Sequence, residues 1–336
     1  MTAAIEIDTL RKVFRVRERA PGLRGAVRGL FVARSREAVA VDGISFRIAA
    51  GERVAFVGPN GAGKSTTVKV LSGILHPTSG GVRVAGLVPW RERTRLARRI
   101  GTVFGQRTQL WYHLPARDTF ELLAHVYDQP RELARRRRSE LVEAFGIGGY
   151  LDRPVRQLSL GERMRCELVA SLLHAPEILF LDEPTIGLDV SAKAVIRDTL
   201  RDHSERDGRT VLLTSHDTGD MERVCERVIV IHEGRILLDE SVGALRGFIR
   251  RKRVTLLTAE PSVDLALPGV VVSEHGGHRT TLEVDTTKTP VEAVVQAALR
   301  QSQLRDLTIE DPPMEEIVAW IYAGARRAGS DGEVRP

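Results

Sequence analysis

The chain has 336 residues, 42% of them hydrophobic, and a formal net charge of +6. That length exceeds one ordinary domain and predicts two, one of them large, with enough apolar content for a real core. Apolar runs such as "ILFL" and "VIVI" are strand-sized, none approaches the roughly 20 residues of a bilayer-spanning helix, and the opening "MTAAIEIDTLRKVF" lacks the apolar run of a secretory signal.

Charge is concentrated near the N-terminus. Residues 11–36 carry nine Arg/Lys, from Arg11 to Arg36, against the single acid Glu18, so this segment holds +8 and the remainder −2. Within it Leu23, Ala26, Val27, Leu30 and Phe31 follow the i, i+3, i+4 spacing of a short basic amphipathic helix. Two explanations stay open: a membrane-surface element, slightly ahead, and a solvated insert packing on its own domain. Phe14 and Phe31 are the segment's only aromatic residues, too few for a stacking platform interleaved with the charges, so no nucleic-acid partner is expected.

"RVAFVG", residues 53–58, reads as a buried strand and runs directly into "PNGAGKSTTVKVLSGIL". The stretch fits G-x-x-x-x-G-K-[ST] through Gly58, Gly63, Lys64 and Ser65. The glycines let backbone N–H groups of the loop Gly58-Pro59-Asn60-Gly61-Ala62-Gly63 wrap a phosphate. Lys64 neutralises β/γ charge, the Ser65 hydroxyl suits Mg²⁺, and Thr66 continues into a helix whose dipole faces the anion. A nucleoside-triphosphate site is expected here.

Further along, "RTQLWYHLP" places Leu110, Trp111 and Tyr112 together on a loop after Gln106, either a partner surface or a local hydrophobic plug. "DTFELLAHVY" and "ELARRRRSELVEAF" predict helices, with Arg135 to Arg138 a solvated face. "LSLGERMRCELVASLL" opens a helix at Ser159 and Gly161 in a polar turn, the form of a second anion cradle. Cys166, in this helix, and Cys225 lack metal spacing and read as small buried thiols of a reducing compartment.

"EILFLDEPTIGLD" is an apolar strand ending in Asp182 and Glu183. The first acid suits Mg²⁺ through water, and the second is placed to polarise an attacking water. "TVLLTSH" is a further strand ending in His216, for which a structural role and donation to a γ-phosphate weigh equally. From about residue 250 three strand patterns, a helix at "TPVEAVVQAAL" and another strand at "LRDLTIED" predict a small α+β appendage. Asp311 and Pro312 start a closing helix buried through Met314, Ile317, Val318 and Ile321. Residues 325–336 read as a disordered tail.

Taken together the motifs resemble the ATPase subunit of the ATP-binding-cassette (ABC) family. "GPNGAGKST", Gln106 in "VFGQRTQLW", "LSLGE", "ILFLDEP", Asp189 in "GLD" and His216 in "TSHD" occur in the family's order over residues 1–242. Phe14 falls where the family stacks an aromatic on adenine. The resemblance implies an α/β P-loop core: a mixed sheet flanked by helices, an antiparallel β subdomain carrying the basic insert 15–37, and a helical signature subdomain at 107–175. A small α+β domain follows at 250–324. It further implies Glu183, His216 and Gln106 as catalytic residues and Ser65, Gln106 and Asp182 around Mg²⁺. ATP would lie between Walker A of one copy and Ser159, Gly161, Glu162 and Asp189 of a partner cassette, in a homodimer at the cytoplasmic face of the membrane. The loop at Gln106 to Tyr112 would receive a membrane permease, which would choose the cargo.

The signature departs from the family's commonest form, LSGGQ. Leu160 does no harm if it points away from phosphate, whereas Glu162 adds negative charge near an anion and is expected to weaken the closed dimer modestly. The early insert, the "LSLGE" variant and the C-terminal domain resemble drug-resistance and viologen-type exporters, with lipid-linked polysaccharide exporters as the alternative. A soluble ATPase acting on a ribosome, DNA ends or a metallocluster scaffold fits less well. Only one P-loop is present, no sustained heptads appear, and the scaffold-associated kind lacks such an appendage.

Overall fold

The computed structural model describes residues 3–17, 35–105, 108–215, 217–248, 251–260, 265–310 and 321. Gln106, His216, the basic amphipathic segment at Leu23–Phe31, the start of the closing helix at Asp311–Val318 and the tail 325–336 lie outside the described residues. The chain divides into two compact units, Met1–Val242 and Gly243–Pro336.

The first unit is built on a six-stranded sheet. Its strands are β3 (Arg53–Val57), β5 (Ile100–Phe104), β6 (Ile178–Asp182), β7 (Thr210–Ser215), β8 (Arg227–His232) and β9 (Arg235–Ser241), in the order β5-β6-β7-β3-β8-β9. All neighbours are parallel except β8 and β9. The parallel strands are near-continuous apolar runs because both their faces are covered, and β7 is buried at every position. Register matters more than order. Phe104 pairs with Asp182, Asp182 with Thr214, and Val57 with Ser215, so the carboxyl ends of β5, β6, β7 and β3 finish on one line. Ligands of open parallel sheets bind along such a line.

A second, antiparallel sheet joins β1 (Ala3–Arg17), β2 (Ser35–Ala49) and β4 (Ser79–Val84) in the order β2-β1-β4. The two sheets share a core: Phe46 of β2 meets Phe56 of β3 with ring centroids 5.7 Å apart, among Ile5, Leu10, Val68 and Leu71. The ribbon of β1 and β2 stays paired out to Arg17 and Ser35, so the ends of the expected insert 15–37 are strand, and Arg15 pairs with Glu37 at 3.7 Å.

The helices are α1 (Lys64–Leu71), α2 (Arg93–Ala97), α3 (Ala116–Val126), α4 (Arg131–Ala144), α5 (Leu160–Leu172), α6 (Val190–Asp207) and α7 (Thr218–Val224), with α8 (Val242–Phe248) entering the second unit. α6 starts at an Asp189 cap and stops at Gly208, whose φ of 60° only glycine adopts freely. The arginine run in α4 is not a uniform solvated face. Arg135 and Arg136 are exposed, but Arg137 reaches Asp207 at 3.2 Å, beside Arg209 at 2.7 Å, and Arg138 reaches Glu121 at 3.0 Å. Successive residues step about 100° around a helix, so a run of four must turn part of itself inward. No helix among the described residues is long and apolar enough to cross a membrane.

The second unit is an antiparallel sheet of β10 (Arg251–Thr258), β11 (Val270–Gly276), β12 (Arg279–Asp285) and β13 (Leu304–Glu310), ordered β11-β12-β10-β13. α9 (Val291–Gln301) closes one face by burying Val294 and Ala298 against Val254, Leu256, Leu282 and Val284. Thr281 is buried as well.

Candidate functional site

The loop after β3 has its shape because its glycines cannot be anything else. A Cβ on Gly58 would stand 2.3 Å from the Ile231 carbonyl oxygen, and one on Gly63, at φ 110°, 2.5 Å from that of Ala40. Ala40 itself is the extra residue of a bulge, since Lys12 pairs with Val41 and Val13 with Val39. Gly61, at φ 82°, borders open space, where backbone can meet a ligand closely. The Lys64 side chain is buried, its Nζ donating to the carbonyls of Gly58 at 2.5 Å and Pro59 at 3.1 Å. Burial lowers the Lys64 pKa, opposed by the nearby charges of Glu183 and Asp182. An ammonium folded over the mouth of a glycine loop suits a polyphosphate that takes over its hydrogen bonds.

Ser65 and Asp182, distant in sequence, meet: the Ser65 hydroxyl donates to Asp182 Oδ1 at 3.1 Å, and the Thr214 hydroxyl donates to the same oxygen at 2.6 Å. A hydroxyl and a carboxylate in contact form a hard all-oxygen donor pair, to which phosphate oxygens and water would add the rest of an octahedron, so the residues fit Mg²⁺. Among the described residues no group of three or more His, Cys, Asp or Glu could hold an ion unaided. Glu183 has φ 55°, rare for a side-chain-bearing residue, and its N–H is held by the Thr214 carbonyl at 3.0 Å. Such strain persists where surrounding contacts fix it. Gly105 lets the loop toward Gln106 approach. Its N–H donates to the Asp182 carbonyl at 2.8 Å, and a Cβ there would stand 2.8 Å from the carbonyls of Asp182 and Glu183. Thr214 and Gly105 were missed by sequence reasoning, although each adjoins a motif.

Phe14 is half buried on β1, opposite Ala38 and two positions along β2 from the bulge that touches Gly63. Lys12 Nζ lies 4.9 Å from its ring centroid. His216 is outside the described residues, but its flanks are tightly held. Asp220 is buried and accepts from Thr185 and Ser215 hydroxyls, both at 2.5 Å, and from Arg197 Nε at 2.6 Å. Asp220 thus ties the turn after Glu183 to the residue before His216. Removing it as Asp220→Ala is expected to cost about 3 kcal/mol, low in the range for a broken buried pair because Asp217 still holds Arg197 at 2.7 Å. The shift in urea midpoint measures it.

The second cradle is a complete helix cap. Ser159 Oγ accepts from the Glu162 N–H at 3.2 Å while Glu162 Oε2 accepts from the Ser159 N–H at 2.8 Å. Because that bond occupies the Ser159 oxygen as acceptor, its hydroxyl proton stays available to donate outward. The charge of Glu162, expected near an anion, is paired within its own chain. Arg153 donates to its second oxygen at 2.8 Å, and the bond from the Ser159 backbone chiefly holds its carboxyl below the usual range. Arg153 in turn stacks over Tyr150 at 5.4 Å. Leu160 lies against Gly187, where a Cβ would meet Leu160 Cδ2 at 3.1 Å, and both residues line the cleft that holds Ser159. Asp189 caps α6 through the Ala192 N–H at 2.9 Å. Ser159, Gly161, Glu162, Gly187, Asp189 and Ala192 share one open cleft of about 380 Å³, and no residue of the 58–65 loop lines it.

The aromatic loop divides. Leu110 is buried and acts as a plug, whereas Trp111 and Tyr112 are each about half exposed, at 47% and 49%.

A family profile described as ABC transporter matches residues 41–186. The daunorubicin resistance ATP-binding protein DrrA3 of Streptomyces coeruleorubidus is 33% identical over 298 residues, covering 86% of this chain and 92% of its own. The Nod factor export ATP-binding protein I of Paraburkholderia xenovorans (strain LB400) is 37% identical over 210 residues, covering 62% of this chain and 68% of its own. Among solved structures, the ATP-binding cassette MJ0796, in a dimeric post-hydrolysis state bound to ADP and Pi, superposes with a TM-score of 0.59 at 26% identity. That match covers 71% of this chain and 98% of the other.

Proposed function

The chain belongs to the ABC transporter family, as an ATP-binding, ATP-hydrolysing subunit, and from this we propose that two copies close head to tail around two Mg-ATP to drive a separate membrane permease in export. The observation that carries this is the separation of two anion cradles. The 58–65 loop, Ser65 and Asp182 serve one side of a triphosphate, while the cleft at Ser159 and Gly161 has no P-loop residue in its wall. Each half-site is left to be completed by another copy.

Within such a dimer Lys64 and the N–H groups of residues 60–64 bind the β- and γ-phosphates. Mg²⁺, when bound, would neutralise phosphate charge between Ser65 and Asp182. The Ser159 hydroxyl and the first N–H groups of α5 cap the far side in trans. Glu183 holds the attacking water and accepts its proton, and His216 donates to the terminal phosphate. Gln106 senses the phosphate from the loop that Gly105 brings to Glu183. The Phe14 ring takes the base.

Transmission to the permease runs through the exposed Trp111 and Tyr112, at the cytoplasmic face of the membrane. A hydrophobic, drug-like cargo is supported by the relative named for daunorubicin resistance, which spans nearly the whole chain. The C-terminal unit, without a catalytic constellation in its described residues, serves regulation or dimer stability. Trp111→Ala is expected to abolish cargo export by the assembled transporter while leaving basal ATP hydrolysis of the isolated subunit within about twofold, as for a surface side chain. Parallel loss of both activities would overturn the assignment of this loop.

A further inference from the structure

We propose that Glu167, whose side-chain hydrogen bonds among the described residues go to Thr108 and Gln109, is a positioning residue that pins the Thr108–Tyr112 segment to the signature helix, so that engagement of Ser159 in trans is carried to Trp111. The inference rests on the dimer reading above. Its basis is a carboxylate placed where packing alone would favour an apolar side chain. Glu167 lies on the buried face of α5, eight residues beyond Ser159, or about 12 Å along the helix. Its side chain is almost wholly inaccessible. Such a group is costly unless its oxygens are hydrogen-bonded, and each of these is.

All the donors come from one short segment. The Thr108 hydroxyl donates to Oε1 and the Gln109 N–H donates to Oε2 at 3.2 Å, while Gln109 Nε2 adds a bond to the Glu167 carbonyl at 3.1 Å. Burial raises the Glu167 pKa, and these bonds oppose that rise. The other end of the loop is tied to the run leading into the signature. The Arg156 N–H donates to the Tyr112 carbonyl at 2.9 Å and the Val155 N–H to that of Leu114 at 3.0 Å. With Leu110 buried beneath, Trp111 and Tyr112 are displayed from a loop fastened at both ends to the element that carries Ser159. The Glu167 bonds fasten the end nearest Gln106. A hydrogen-bonded pin holds the two elements in register, so that a displacement of one is carried to the other.

The test uses the full chain, whose three tryptophans are reduced to Trp111 by Trp90→Phe and Trp320→Phe, in a Glu183→Gln background. Mg-ATP-driven dimerisation is read by size-exclusion chromatography and Trp111 emission by fluorescence. We expect the parent to dimerise with a change in Trp111 emission. Glu167→Ala and Thr108→Val should dimerise as well but lose about fivefold of that change, and Glu167→Gln, which can still accept from Gln109 and pair with Thr108, should keep most of it. Thr108 is exposed, so its variant decides the matter if Glu167→Ala fails to fold. An undiminished emission change in a folded, dimerising Thr108→Val or Glu167→Ala protein overturns the pin and leaves the dimer standing. A dimerising parent whose Trp111 emission does not change does the same. A parent that never dimerises overturns both.

Discussion

Glu183→Gln is expected to lower the steady-state ATPase rate by about a thousandfold, the scale of a lost general base, while leaving Mg-ATP affinity near that of the parent. The two effects separate because adjacent acids of one strand end have different partners. Asp182 is engaged by Ser65 and Thr214, and those bonds do not pass through Glu183. The backbone of Glu183 is fixed by Thr214 in a left-handed conformation that glutamine inherits, so the side chain keeps its place but no longer accepts a proton. Phosphate release gives the rate and a fluorescent nucleotide gives the affinity. Because hydrolysis is what opens the proposed pair, the same variant should elute as a dimer in Mg-ATP. A rate within tenfold of the parent would remove Glu183 from the catalytic role.

What was legible in the sequence is what is contiguous in it. The strand, glycine loop and helix around Lys64, and the apolar run ending at Asp182, are each written within a single contiguous stretch, Arg53 to Leu71 and Ile178 to Asp182. The structure then brings Ser65 and Asp182 into contact through the pairing of β3 with β7 and of β7 with β6. The cap at Ser159 was visible for the same reason, since both of its partners lie within one helical turn. Contacts whose partners were chosen by tertiary packing could not be read. The ion pair of Glu162 was not visible because nothing in "LSLGE" points to Arg153, nine residues earlier. Whether Leu110 belonged to a partner surface or to a plug stayed open, because burial depends on which way the loop turns over α5. The bonds from Thr108 to Glu167 and from Thr185 to Asp220 join positions 59 and 35 apart, and an isolated acid in a helix gives no sign of which hydroxyl it will meet.

Gly161→Asp is expected to reduce hydrolysis by about a hundredfold or more while nucleotide still binds each subunit, because it damages only the half-site offered in trans. Gly161 sits at the second position of α5, where its N–H is among those left unpaired at a helix start. A Cβ at this position would approach the Ala192 Cβ to 3.2 Å, so even a small side chain must push against α6 or turn into the cleft shared with Ser159. An aspartate turning into the cleft sets a carboxylate where a terminal phosphate is to be received, and Arg153 does not neutralise it because Glu162 already occupies that guanidinium. Repulsion between the new charge and the incoming phosphate therefore opposes closure directly, whereas the P-loop, more than ninety residues earlier and absent from the cleft wall, is left as it was. Equilibrium binding of a fluorescent ATP analogue should match the parent, and the Gly161→Asp, Glu183→Gln double variant should elute as a monomer at saturating Mg-ATP. Full hydrolysis by Gly161→Asp would mean that one chain encloses its nucleotide without the other, and the cleft at Ser159 would then be only the start of a helix.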